Sequence, residues 1–211
     1  MRRARRYILR VCPDGSLRVT IPRGGSRRDA EAFLDRNRKW AEAERVRVSA
    51  QYAPAEWREG DVIPLHGAPA PLAIERTGRG AFLLLGGERV AVENPSGDLR
   101  PAAERALRRV AARELLPRLE ALAIQHGLTF GRATIRNQRS RWGSCSRRGA
   151  IALNFRLVQM PPPVCEYVLL HELMHLRQQN HSRQYWRLVE SVCPEFREAE
   201  RWLRVEGRSL F

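Results

Sequence analysis

The sequence predicts an α+β protein, in which a β-rich N-terminal part with one helix precedes a compact part built around a histidine-bearing helix beside a small sheet. Three observations carry this reading. Residues 60 to 95 alternate short apolar runs with Gly and Pro, residues 98 to 126 repeat apolar side chains at helical spacing, and Val164 to Leu176 is a largely apolar stretch that carries His171, Glu172 and His175.

Taken in order, Tyr7 to Val11 and Leu17 to Ile21 flank Pro13-Asp14-Gly15, a turn sequence, and read as a hairpin. A helix follows, capped by Ser26, with Ala30, Phe33, Leu34, Trp40 and Ala41 at helical spacing to about Arg45. Short strands are expected at Val62-Ile63, Leu72 to Ile74, Phe82 to Leu85 and Val90 to Val92. Pro95-Ser96-Gly97-Asp98 then reads as a boundary, which divides the chain into residues 1–97 and 98–211. The helix from Asp98 to about His126 contains Pro117, an expected kink or break, and its apolar face should pack on the histidine-bearing helix. Arg132 to Gln138 and Ala150 to Val158 alternate apolar and polar residues around a Trp-Gly-Ser turn, the pattern of a hairpin. Pro194 to Glu206 closes the chain as a helix.

Composition bounds the function without naming it. A chain of 211 residues with 43% hydrophobic content can bury a core. Its formal net charge of +15 attracts polyanions, and Arg132, Arg136, Arg139, Arg141, Arg147 and Arg148 surround Trp142 in a pattern that could track phosphates and stack a base. All but one of the 38 basic residues are Arg, Lys39 being the exception, so codon bias is a competing source of the Arg content. Cys12, Cys145, Cys165 and Cys193 form no CxxC pair and read as reduced thiols of a cytoplasmic protein. After Met1-Arg2-Arg3-Ala4-Arg5-Arg6 only Tyr7-Ile8-Leu9 precedes Arg10, too short a run for a signal peptide, and no stretch approaches a membrane span.

The chemistry is concentrated in His171-Glu172-Leu173-Met174-His175, with His181 six residues on. On a helix, His171 and His175 project from one face about a turn apart, and Glu172 can reach a water bound to the same ion without ligating it. Asn180 tolerates left-handed backbone, so the helix can end near it and fold His181 back, while Ser182 can cap a new helix. Three neutral imidazoles with one open position suit a single zinc ion, which acidifies its water; Glu172 would act as general base in amide hydrolysis of a peptide or protein. An accidental HExxH in so His-poor a chain has an expectation of roughly 0.01.

Around the motif, an edge strand beside the helix could pair with an extended substrate, with Trp142, Ser144 and Asn154 as candidate contacts. The same residues suit structural work: Trp142 as core, Gly143 as turn, Ser144 as a partner for local backbone. Glu190 is a candidate to orient a ligating imidazole, and Tyr167 and Tyr185 could donate to an oxyanion or simply pack.

The succession Arg141-Trp142-Gly143-Ser144-Cys145-Ser146, Gly149 to Leu157, Pro161 to Pro163, the HExxH helix and Asn180-His181-Ser182 before Tyr185-Trp186 resembles the YgjP-like metallopeptidases, which are related to the SprT-like and minimal gluzincin peptidases. The resemblance covers roughly residues 130 to 196 with specific motifs and extends more weakly over the whole chain. It implies a zincin-like peptidase domain with His171, His175 and His181 as zinc ligands and Glu172 as the catalytic glutamate. Larger gluzincins take a distant Glu as third ligand, whereas this group resembles metzincins in using a nearby His. The metzincin pattern has Gly midway between its second and third His, where this chain has Gln178, so the turn must be built differently. Two alternatives stay open: a nucleic-acid-associated protein with a structural or vestigial zinc site, or a protease recruited to DNA-bound proteins, as some SprT-like proteases are. A structural zinc would need a fourth protein ligand, and the spacing offers three.

Overall fold

The computed structural model describes residues 5–12, 16–51 and 56–211; the Met1 to Ala4 segment and the Pro13-Asp14-Gly15 turn lie outside the described residues. The chain divides into two compact units, Met1–Ala55 and Glu56–Phe211.

In the first unit, β1 (Ile8–Val11) pairs antiparallel with β2 (Leu17–Thr20). Ser26 caps α1 (Arg27–Arg36), accepting from the Asp29 amide. The helix expected to run on to Arg45 is interrupted at Asn37, whose side chain donates to the Phe33 carbonyl at 2.8 Å, and resumes as α2 (Arg38–Gln51). An Asn that bonds backbone within its own turn competes with the helical ladder, which is why the helix divides there.

The second unit begins with the strands expected between residues 60 and 95. β3 (Val62–Leu65) and β4 (Ala68–Pro71) form a hairpin, and β5 (Ala73–Thr77), β6 (Gly80–Leu85) and β7 (Glu88–Val92) form a meander in that order. The first hairpin turns through His66 and Gly67, both with positive φ (52° and 77°), and a Cβ on Gly67 would lie 2.9 Å from Pro161 Cα. Glycine at 67 therefore lets the hairpin back onto the residue that opens the histidine-bearing helix. α3 (Arg100–Gln125) packs on β6 and β7, so that Leu83 and Val90 share a core with Leu107 and Val110. The Pro95 to Asp98 stretch, read as a boundary at residue 97, links β7 to α3 inside this unit. α3 continues through Pro117 without a break.

The site rests on a sheet of β8 (Arg132–Arg136), β9 (Gly143–Cys145) and β10 (Ala150–Asn154), ordered β8-β10-β9. The hairpin expected from residues 132–138 and 150–158 is not formed. β8 and β10 run parallel, and β9 lies antiparallel on the far side of β10. The alternating pattern reports which face a strand buries but not its direction, and the Trp-Gly-Ser segment is itself strand rather than turn. The tight turn lies at Ser146 to Gly149, closed by the Gly149 amide on the Ser146 carbonyl. Phe155–Gln159 then forms a 3-10 helix capped by Asn154. α4 (Pro162–Met174) packs against α3, β9, α5 (Arg183–Val192) and α6 (Phe196–Val205), and a 3-10 turn at Gly207–Leu210 follows. The architecture is α+β, with the histidine-bearing helix beside a small sheet. No described helix is long and apolar enough to cross a membrane.

Candidate active site

α4 starts on Pro161 to Pro163, where the missing amides fall in a first turn that has no helical acceptors for them, and buries Val164, Val168, Leu169, Leu170 and Leu173. The same burial takes in Glu172 (5% exposed) and His175 (8%), with His171 half-buried. Burying such groups is unfavourable unless each finds a partner. His171, His175 and His181 bring their ligand nitrogens within 4.8 Å of one another, and His171 Nε2 lies 3.2 Å from His181 Nε2. Tetrahedral zinc with Zn–N distances of about 2.0–2.1 Å spaces its nitrogens by about 3.4 Å, so the donor set fits zinc. Among the described residues, these three make up the cluster.

His171 and His175 are held neutral and aimed. Burial, with His175 and His181 as further causes, pushes His171 down to about 3, and burial lowers His175 while the Gln178 hydrogen bond opposes. His175 Nδ1 donates to the Gln178 carbonyl at 3.1 Å, which leaves the Nε2 lone pair for a metal. Tyr167 Oη lies 3.4 Å from His171 Nδ1. Tyr185, fully buried, stacks on His175 (4.6 Å, 22°) and donates its hydroxyl to the His171 carbonyl at 3.0 Å. Its hydroxyl is thus engaged with backbone rather than free to meet an oxyanion. Trp186 stacks on His181 at 5.8 Å. Glu190, the sequence candidate for orienting an imidazole, sits exposed on α5, and Gln178 and Tyr167 occupy that role instead.

The turn that returns His181 departs from expectation in a way that answers the missing glycine. α4 ends at Met174, earlier than Asn180, and Asn180 does not adopt positive φ. Side-chain hydrogen bonds shape the turn: Gln178 Nε2 donates to Asn180 Oδ1 (2.9 Å) and Ser182 Oγ (3.2 Å), Gln179 Nε2 to the His175 carbonyl (2.6 Å), and the Ser182 amide to Asn180 Oδ1 (3.2 Å). Asn180 thus makes an Asx turn, and Ser182 caps α5 as expected. Gln178 does by hydrogen bonding what a glycine does by conformational freedom.

Glu172 points toward β9. A Cβ on Gly143 would lie 2.5 Å from Glu172 Oε1 and 2.6 Å from its Cγ, so the absence of a side chain at 143 is what admits the carboxylate. Glu172 Oε2 is buried without a hydrogen-bond partner. Burial pushes this carboxyl up to about 8, with Arg141 acting in the opposite direction.

The substrate candidates divide. Asn154 is fully buried, with Nδ2 donating to the Gln138 and Arg141 carbonyls at 2.8 and 3.1 Å, so it fixes the loop before β9 and has no surface for a substrate. Trp142 is half-buried, its ring 4.4 Å from that of Phe211 with Gly207 beneath it, and is thereby engaged rather than open for stacking a base. Trp142 accepts from the Asn154 amide and Ser146 donates to Ala150 across the β9–β10 pair, so Ser144, between them, also turns its backbone groups toward β10. The intervening Gly143 and Cys145 turn theirs to the outer edge, positions that the sequence reading passed over. The Cys145 thiol is pushed up to about 11 by burial and then by Glu172, in keeping with a packed residue.

The family described as "YgjP-like, metallopeptidase domain" matches residues 5–206. Among solved structures, the metallopeptidase zymogen of Pyrococcus abyssi abylysin is 28% identical, with 43% of this chain and 92% of that chain covered and a TM-score of 0.38. No curated protein matches.

Proposed function

Because this chain belongs to the YgjP-like metallopeptidase family, we propose that it hydrolyses peptide bonds with one zinc ion held by His171, His175 and His181 and with Glu172 as general base. The family assigns it to the metal-dependent peptidases; the metal, its ligands and the base are our reading. The observation that carries it is the convergence of three imidazoles beside a carboxylate oxygen that is buried and has no hydrogen-bond partner. All of these groups lie in residues 98–211, which we propose as the peptidase portion.

When bound, zinc supplies Lewis acidity, bringing the pKa of a water toward about 7 and polarising a carbonyl oxygen. The chain's own residues do the rest. Glu172 would take a proton from the attacking water and hand it to the leaving amine, a part open to a carboxylate that lies beside the imidazoles with one oxygen free of hydrogen bonds. Gly143 leaves space for the carboxylate. Gly143 and Cys145, with backbone groups directed outward from β9, would pair with an extended substrate. Trp142 and Ser144 would contribute by keeping β9 in register, Trp142 through its packing on Phe211.

Elemental analysis of the purified protein, together with casein cleavage with and without chelator, tests this reading. One zinc per chain and chelator-sensitive cleavage are expected, with Glu172→Gln retaining metal and losing hydrolysis and His175→Ala losing both. Cleavage by Glu172→Gln at the parental rate would refute the mechanism.

A further inference from the structure

Between Glu120 and Glu166 the chain has no acidic residue, yet this stretch builds the entire sheet on which the site rests. Some arginines of the same unit are paired, as Arg76 is with Glu59, Arg89 with Glu75 and Arg118 with Glu166, and others, Arg183 and Arg201 among them, form no ion pair with a described residue. Around β9 no acidic neighbour in sequence is on hand to pair with any. Arg132, Arg136, Arg141, Arg147 and Arg148 are all exposed, and none forms an ion pair with a described residue.

Their placement follows the edge strand. Arg141 precedes β9 in a loop fixed through the Arg141 carbonyl by buried Asn154. Arg147 and Arg148 occupy the two central positions of the turn after β9, which the Gly149 amide closes on the Ser146 carbonyl at 2.9 Å. Both ends of the strand facing Glu172 therefore carry exposed positive charge, that of Arg141 being near enough to act on the Glu172 carboxyl as well. An extended peptide advances about 3.3 Å per residue, so one paired along β9 with its scissile bond level with Gly143 reaches Arg141 about two residues away and Arg147 about four residues away on the other side.

We infer that the protein selects polypeptides with acidic side chains on both sides of the scissile bond, recognised by Arg141 and by Arg147 with Arg148. The inference rests on the peptidase reading and names its substrate class. An acidic peptide is favoured over nucleic acid because the one aromatic residue of the basic stretch beside β9, Trp142, has its ring packed between Phe211 and Gly207.

The test uses three fluorogenic peptides with one shared apolar centre and flanks of Glu, Gln or Lys, given to the zinc-loaded protein. In parallel, fluorescence anisotropy measures binding of the same peptides and of a single-stranded oligonucleotide to Glu172→Gln. The Glu-flanked peptide should be cleaved with kcat/KM about three- to tenfold above the Gln-flanked one, mostly through KM, as two exposed charge pairs allow. That advantage should vanish near about 0.5 M NaCl, where screening is short-ranged, and R147E/R148E should favour the Lys-flanked peptide. Equal kcat/KM for Glu and Gln flanks would overturn the inference while leaving the peptidase reading intact. Failure to cleave any of the three would count against the peptidase reading, and anisotropy would still decide the inference by the order of peptide affinities. Oligonucleotide binding that R147E/R148E abolishes, without any preference for the acidic peptide, would overturn it in favour of nucleic acid.

Discussion

Replacing Gly143 by Ala adds one methyl group against the side chain we assign as the base. The new Cβ would stand 2.5 Å from Glu172 Oε1, 2.6 Å from Cγ and 2.7 Å from Cδ, whereas ordinary contacts of carbon with heavy atoms fall near about 3.5 Å. Relief therefore requires about 1 Å of movement. It cannot come from swinging a terminal atom alone, because Cγ is as crowded as the oxygen. Gly143 has no φ in the left-handed region, so the effect is steric and not a matter of backbone strain. Overpacking of this kind costs about 1–3 kcal/mol, and a chain of this size then loses about 2–12 °C in Tm. A displacement of about 1 Å in a catalytic group lowers turnover about 100-fold. We expect Gly143→Ala to keep its metal, since the three atoms nearest the new Cβ all belong to Glu172 and the imidazoles bond to other partners, and to lose kcat with KM changed little. The assay is steady-state kinetics on a peptide beside metal content and thermal unfolding. Retention of half the parental kcat would show that the contact with Gly143 does not govern the carboxylate.

Two further outcomes follow from the same geometry. In metal-free protein Glu172 is raised to about 8 from an unfolded value near about 4.5, so the folded state binds the extra proton and stability falls as pH rises through 8. His171, lowered to about 3, acts with the opposite sign but only below about 6.5; the Tm of chelator-treated protein should therefore drop between pH 6.5 and 8.5, and Glu172→Gln should flatten that drop, an unchanged slope being the contrary result. Tyr185→Phe removes the hydroxyl that meets the His171 carbonyl while keeping the ring against His175, and should cost about 1 kcal/mol by denaturant unfolding; a loss above about 3 kcal/mol would mean that the hydroxyl supports more than one carbonyl.

Much of the site was legible because its signals are local. His171 and His175 at helical spacing, Glu172 between them and Ser182 as a cap are statements about neighbouring residues, and the α4 and α5 geometry agrees with them. The fold class was legible for the same reason, from periodicity in each segment. Strand direction was not. The segments at 132 and 150 carry the alternation of paired strands, but nothing in them distinguishes a hairpin from a parallel pair with a third strand laid beyond it. Gly143 was visible in Trp-Gly-Ser yet read as a turn, since its role depends on a helix that arrives almost thirty residues later. Glu190 was the candidate for orienting an imidazole and the Gln178 carbonyl that meets His175 was not, because side chains advertise their chemistry and backbone carbonyls do not.

The proposed ligands share one short stretch, His171 and His181 being ten residues apart, while Gly143 belongs to the sheet. Closing so small a loop costs little entropy, so the imidazoles can gather early, whereas the seat of Glu172 exists only once β9 has docked on β10 and α4. On the proposed function, metal binding and hydrolysis therefore make different demands on the fold, the first on one short loop and the second on the sheet as well.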